Sequence, residues 1–153
     1  MKQMRRKDRA ISAEEATTLL NVAEYGVLST VDREGQPYGV PLSYIYRDDA
    51  VYFHSALTGH KLDNIQGNGK VSFCVVGKTH ILPEKFSTEF ESVVVFGTAS
   101  EVVGEEKMNA LVWLVEKYCP DYMEEGQVYA RKAVDTTLVV KIQADHFTGK
   151  ARR

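Results

Sequence analysis

The chain has 153 residues, 44% hydrophobic and 26% charged, with 19 lysines and arginines against 21 acids and a formal charge of -2. That length supports one sizeable core and a single domain, and the composition excludes disordered and collagen-like chains. The near-balance of charge gives the chain as a whole no electrostatic reason to bind nucleic acid.

The first ten residues form a basic tail carrying Lys2, Arg5, Arg6, Lys7 and Arg9, and residues 11–153 read as the domain. The other end is basic too, at Lys150, Arg152 and Arg153. Either both tails are solvated, the C-terminal one being mobile, or one of them reaches an anionic ligand. No apolar run approaches the ~20 residues that span a bilayer, and no hydrophobic signal region follows the basic start. The expectation is a cytoplasmic protein that engages neither membrane nor nucleic acid.

Ser12 and Glu15 have capping-box spacing and predict a helix from Ala13 to Glu24, with Ala16, Leu19, Leu20 and Ala23 on its buried face and Gly26 as its stop. Val27 to Val31 is strand-like, Asp32 to Gly35 is a turn, and a second strand is expected from Pro37 to Tyr46. Arg47 to Asp49 turns the chain into a third strand at Val51 to His54, which would open an antiparallel meander. A short helix over residues 59–67 buries Leu62 and Ile65.

Lys70 to Val76 is again strand-like, residues 80–90 lack a pattern, and Ser92 to Val103 predicts a long strand with a bulge or close approach at Gly97. Met108, Leu111, Val112, Val115, Tyr118 and Cys119 recur at three and four, predicting a helix from Glu105 to Tyr118 that Pro120 ends. Trp113 falls on this helix as a packed aromatic. A short helix over Tyr122 to Tyr129 and a last strand from Thr136 to Ile142 follow. Six or more strands with peripheral helices predict an α+β fold built on a closed or nearly closed antiparallel barrel.

Cys74 and Cys119 are too far apart for a CxxC pair and are expected to be buried, reduced thiols. His54, His60 and His80 lack the spacing of a zinc site, so no metal is expected. No GxSxG elbow or phosphate-loop glycine pattern occurs.

The segment Val51 to Ile65 carries the chemistry. A strand ends at His54-Ser55, Gly59 allows a turn, and a helix opens on His60-Lys61. Free N–H groups at a helix start, the positive end of its dipole and the Lys61 charge suit an anion such as a phosphate. The plainer alternative is a structural histidine and a solvated lysine, and spacing alone leaves both open.

The run resembles the flavin-binding segment of the pyridoxamine 5'-phosphate oxidase-like superfamily, with Phe53-His54-Ser55 and His60-Lys61 in its place. Val40-Pro41-Leu42-Ser43-Tyr44, Ser92 to Gly97 and His146 to Arg152 make the chain most similar to the branch related to 5-nitroimidazole resistance. The resemblance runs from about Ile11 to the C-terminus.

It implies a split β-barrel that binds FMN, with FAD or a deazaflavin as the less favoured cofactors. Val40, Pro41 and Leu42 would line the isoalloxazine and ribityl chain. His54, Ser55, His60 and Lys61 would hold the phosphate, and Asn64 would support them. Ser92 would come from the partner in a homodimer.

The activity implied is FMN-dependent oxidoreduction of a small aromatic or nitro-heterocyclic compound, with His80 as a candidate acid. The alternatives are a non-catalytic flavin-binding or redox-sensing module, and a pyridoxamine 5'-phosphate oxidase-like oxidase. The basic pair is His-Lys where those oxidases have Arg-Lys, and their C-terminal arginine motif is not recognisable.

Overall fold

The computed structural model describes residues 2–153. Ser12 Oγ accepts the Glu15 N–H at 3.1 Å and starts helix α1, Ala13–Val22. The helix buries Ala16, Leu19 and Leu20, and ends before Glu24 because the chain turns extended at Ala23.

Eight strands follow: β1 Gly26–Val31, β2 Pro37–Leu42, β3 Ile45–Arg47, β4 Ala50–Ser55, β5 Lys70–Val76, β6 His80–Leu82, β7 Ser87–Val102 and β8 Leu138–Arg152. Helix α2, His60–Gly67, joins β4 to β5; α3, Gly104–Tyr118, and α4, Met123–Ala133, lie between β7 and β8. The sheet order is β2-β1-β5-β7-β8-β4-β3, every pairing is antiparallel, and β6 adds to the outer part of β7. The end strands β2 and β3 are not bonded to each other, so the fold is an α+β split β-barrel.

That order corrects the expected meander. The strand predicted over Pro37 to Tyr46 breaks at Ser43-Tyr44, and its halves pair at opposite ends of the sheet. The break is stabilised from the side. Tyr44 N–H donates to Tyr118 Oη at 3.0 Å, and Lys117 Nζ donates to the Tyr44 carbonyl at 3.0 Å. Side chains from the end of α3 thus satisfy a peptide that a neighbouring strand would otherwise satisfy. The Tyr44 side chain turns into the core, where its hydroxyl donates to the Leu20 carbonyl and its ring meets the Phe73 edge at 4.7 Å.

The two longest strands, β7 and β8, pair along most of their length, with a register shift between Phe96 and Gly97. A Cβ at Gly97 would lie 2.2 Å from the Gln143 carbonyl oxygen, so the expected close approach is there and no larger residue fits. β8 runs far past the expected end at Ile142 and carries Lys150 and Arg152 in strand, which corrects the mobile tail. Arg153 donates to the Glu15 carboxylate, and Ala10 bridges Lys150. The segment without sequence pattern holds β6 and a 3-10 turn, Pro83–Lys85.

β4 separates two apolar layers. Val51 and Phe53 face the barrel interior with Leu28, Phe73, Val93, Val95 and Ile142. Ala50 and Tyr52 face the other way, against Val102, Ala110, Leu111 and Ala130 beneath α3 and α4. Glu106 fastens α3 to the sheet by accepting from Tyr52 Oη at 2.8 Å and Lys141 Nζ at 3.0 Å. Trp113 packs edge-on to Tyr52 with Arg47 over its ring, as a packed aromatic should.

Both cysteines are free, but Cys119 is exposed and Cys74 half-buried, contrary to expectation: Cys119 lies just past the end of α3, and Cys74 sits on the face of β5 opposite the buried Phe73 and Val75. α4 opens one residue later than the predicted Tyr122 to Tyr129 helix, at Met123 after a 3-10 turn, and runs on past Tyr129 to Ala133. Among the described residues no helix is long and apolar enough to cross a membrane.

Candidate functional site

α2 is preceded by Gly59, which has no side chain to cap it, and the first backbone bond back to Gly59 comes from Asp63 N–H. The N–H groups of His60, Lys61 and Leu62 are therefore unspent by the helix. Two contacts fix this end in space. The His60 ring stacks on Tyr38 of β2, centroids 3.9 Å apart, and Asn64 Nδ2 donates to Thr30 Oγ1 of β1 at 3.0 Å. Helix α2 thus sits against β1 and β2, and its start lies beside the strand carrying Val40, Pro41 and Leu42.

Lys61 is half-buried, and no described carboxylate lies within ion-pair distance of it. His54 is near enough to feel that charge. Burial first, and then Lys61, push its imidazole below the ordinary histidine value. His54 is consequently a neutral ring near pH 7, able to donate from one nitrogen and accept at the other.

The remaining expected residues fall elsewhere. Alternation along β4 sends His54 outward with Tyr52 and Ser55 inward with Phe53; Ser55 is buried, and its hydroxyl donates to the Ala56 carbonyl at 2.7 Å. Asn64 is buried against β1. Ser92 pairs with Val76 and Lys150, near the far end of β7 from Val102, whose row leads through Val139 to His54. At about 3.3 Å per strand residue that separation is on the order of 30 Å, so one chain does not bring Ser92 to the α2 start.

His80 is farther still. It is exposed on β6 and lies 2.9 Å from Glu89. Among the described residues no group of three or more His, Cys, Asp and Glu is placed to hold a metal ion.

A feature that residue patterning missed adjoins His54. A cleft of about 630 Å³ opens between α3 and α4, reaching Ser43 and His54. Helical periodicity marked the apolar face of α3, but the space arises only where α4 packs across it.

The fold is a split barrel that sets the start of α2, with its unspent N–H groups, against β1 and β2. The chain belongs to the pyridoxamine 5'-phosphate oxidase family, whose profile matches residues 12–151. A candidate 5-nitroimidazole antibiotic resistance protein from Bacteroides thetaiotaomicron is 27% identical, with a TM-score of 0.80 over 93% of this chain and 86% of its own. A FAD-binding protein from Mesorhizobium loti is 28% identical, with a TM-score of 0.69 over 95% and 98%. A FAD and heme binding protein from Mycobacterium smegmatis shares the fold at 19% identity, with a TM-score of 0.83 over 96% and 74%. Among curated proteins none matches at a significant level.

Proposed function

We propose that the protein is a flavin-dependent oxidoreductase that holds FMN across a homodimer interface and acts on a small aromatic or nitro-heterocyclic compound. The observation that carries this reading is the start of α2, where unspent N–H groups, the Lys61 ammonium without a carboxylate partner and the neutral His54 ring converge. That donor set fits the phosphate of FMN, since each group offers a proton or positive charge.

Lys61 and the α2 amides bind the phosphate, with His60 held in place by Tyr38. Val40, Pro41 and Leu42 offer a partly exposed apolar edge to the ring system. Ser92, too distant within one chain, reaches the site from a second copy. The flavin supplies hydride transfer at its ring, and the protein supplies position and electrostatics. Membership of the family and the likeness to a candidate nitroimidazole resistance protein support this assignment; the FAD-binding relative makes FAD the alternative cofactor.

Releasing the chromophore from purified protein and weighing it distinguishes FMN from FAD. Lys61→Ala should lower flavin affinity about 10- to 150-fold, the equivalent of the ~1.5–3 kcal/mol of a charge-assisted hydrogen bond, with little change in unfolding midpoint. Unchanged affinity would remove the cradle. Sedimentation of the holoprotein should give twice the chain mass, and a flavin-loaded monomer would remove the shared site.

A further inference from the structure

We propose that the cleft between α3 and α4 is the substrate site, and that it selects uncharged planar aromatic compounds over anionic ones. This rests on the flavin reading above for its role, though its chemistry is legible without it. The inner end of the cleft is formed by Ser43, which directly follows Val40-Pro41-Leu42, and by His54, which closes β4. A compound seated there lies against the same strand ends that would face the flavin ring.

The walls are apolar: Leu111, Leu114 and Val115 from α3, with Ala130 and Ala133 from α4. Small residues on α4 keep the space open, while the approach of the helices at Gly126 limits it, since a Cβ there would meet Val115 Cγ1 at 2.3 Å. The Tyr118, Tyr122 and Tyr129 rings form the rim. Tyr118 is immobilised by donating to the Glu24 carbonyl at 2.6 Å, which makes its ring a fixed wall. A volume of about 630 Å³ lined in this way suits a compact aromatic molecule.

The charge pattern sets the selectivity. Among the described residues no lysine or arginine lines the cleft, and the one full charge among them is the Glu125 carboxylate. His54 adds no positive charge near neutral pH, because burial and Lys61 both disfavour its protonation. An anion entering this space would be desolvated beside a carboxylate without a cation to pair with. The phosphate of a cofactor is thereby kept at Lys61, and a phosphate ester substrate is disfavoured. Ser43 offers the hydroxyl that orients a nitro or carbonyl substituent, since Thr137 Oγ1 already donates to the Ala133 carbonyl at 2.8 Å.

The test uses a matched pair, 4-nitrobenzyl alcohol and 4-nitrobenzoate, titrated calorimetrically into flavin-loaded protein without reductant. The alcohol should bind at least tenfold more tightly than the carboxylate. Glu125→Lys, at an exposed position, should shrink that ratio at least fivefold. Ala133→Phe, which fills the cleft, should weaken the alcohol at least tenfold; Tyr129→Ala, at a rim position, should weaken it as well and serves if Ala133→Phe does not fold.

Equal affinity for the two probes, or binding indifferent to all three substitutions, would overturn the proposal. Competition between the alcohol and added FMN would also overturn it, by giving the cleft to the cofactor. Flavin content is read separately from the visible spectrum. Cleft binding without flavin would therefore overturn the oxidoreductase reading, and with it the substrate role, while flavin retention with an unresponsive cleft would overturn the cleft proposal alone.

Discussion

The barrel interior and the helical layer meet at β4, yet they are packed to different standards. On the interior face Val51 and Phe53 join Phe73, Val93, Val95 and Ile142, all wholly excluded from solvent. On the helical face Ala50 and Val139 are just as deeply buried, but toward His54 the layer opens into the cleft, and Tyr122 and Tyr129 remain well exposed. Period-two alternation in one strand therefore serves both a sealed core and a ligand-sized opening. The rigid side positions the open side, and the candidate chemistry lies on the open side.

The strongest challenge to that contrast is to remove comparable packing from each layer. Phe73→Ala should cost about 3–5 kcal/mol, because the ring is fully buried between Tyr44 and Gly26 and nothing nearby can fill its place. Leu114→Ala should cost about 2 kcal/mol, at the low end for such a truncation, since one side of Leu114 already borders the cleft. Urea unfolding of both variants measures the difference. Equal losses would mean that the helical layer is as tightly packed as the barrel.

A smaller effect is expected where the two regions are stitched together. Tyr118 Oη donates to the Glu24 carbonyl at 2.6 Å and accepts the Tyr44 N–H at 3.0 Å, so one hydroxyl joins the end of α1, the break between β2 and β3, and the end of α3. Tyr118→Phe should cost about 1–2 kcal/mol and speed hydrogen exchange at the Tyr44 amide, with the Phe73 region unaffected. An unchanged Tyr44 exchange rate would show that the break is held by other contacts.

The sequence exposed the local parts of this architecture and hid those made by distant partners. The Ser12 cap, the β1–β2 turn, α2 and the glycine at the β7 bulge all declare themselves within a few residues. The break at Ser43-Tyr44 does not, because its hydrogen-bond partners come from Lys117 and Tyr118, more than seventy residues away. The expected last strand stops at Ile142, where the apolar run ends, and only pairing with β7 carries it on to Arg152. In the candidate site, Lys61 and His54 were visible as types of residue in a pattern. The opposite facing of His54 and Ser55, and the inward hydrogen bond of Asn64 to Thr30, depend on strand phase and helix placement.

The smallest effect concerns Lys117, which stands at the junction of the two regions and carries its charge at a cost. Its Nζ lies 3.7 Å from the Tyr44 ring centroid and donates to the Tyr44 carbonyl, yet no described carboxylate pairs with it. Burial lowers its pKa from 10.5 to about 8. The folded state therefore gives up this proton at lower pH than the unfolded chain does. Between about pH 8 and 10.5 the unfolded chain binds more protons, and stability from this group rises with pH; below about pH 8 the charge is carried in both states and the gain is absent. Because the side chain is only half-buried, screening reduces the effect to on the order of 1 kcal/mol. Lys117→Met removes the titration while keeping much of the apolar stem. Urea midpoints compared at pH 7, 8 and 9 should show wild type gaining on Lys117→Met as pH rises, with the measurements kept below the range where most unfolded tyrosines ionise. A difference that stays constant across those pH values would mean that Lys117 is solvated as an ordinary surface amine, and that the junction between barrel and helices is as open to water as the cleft beside it.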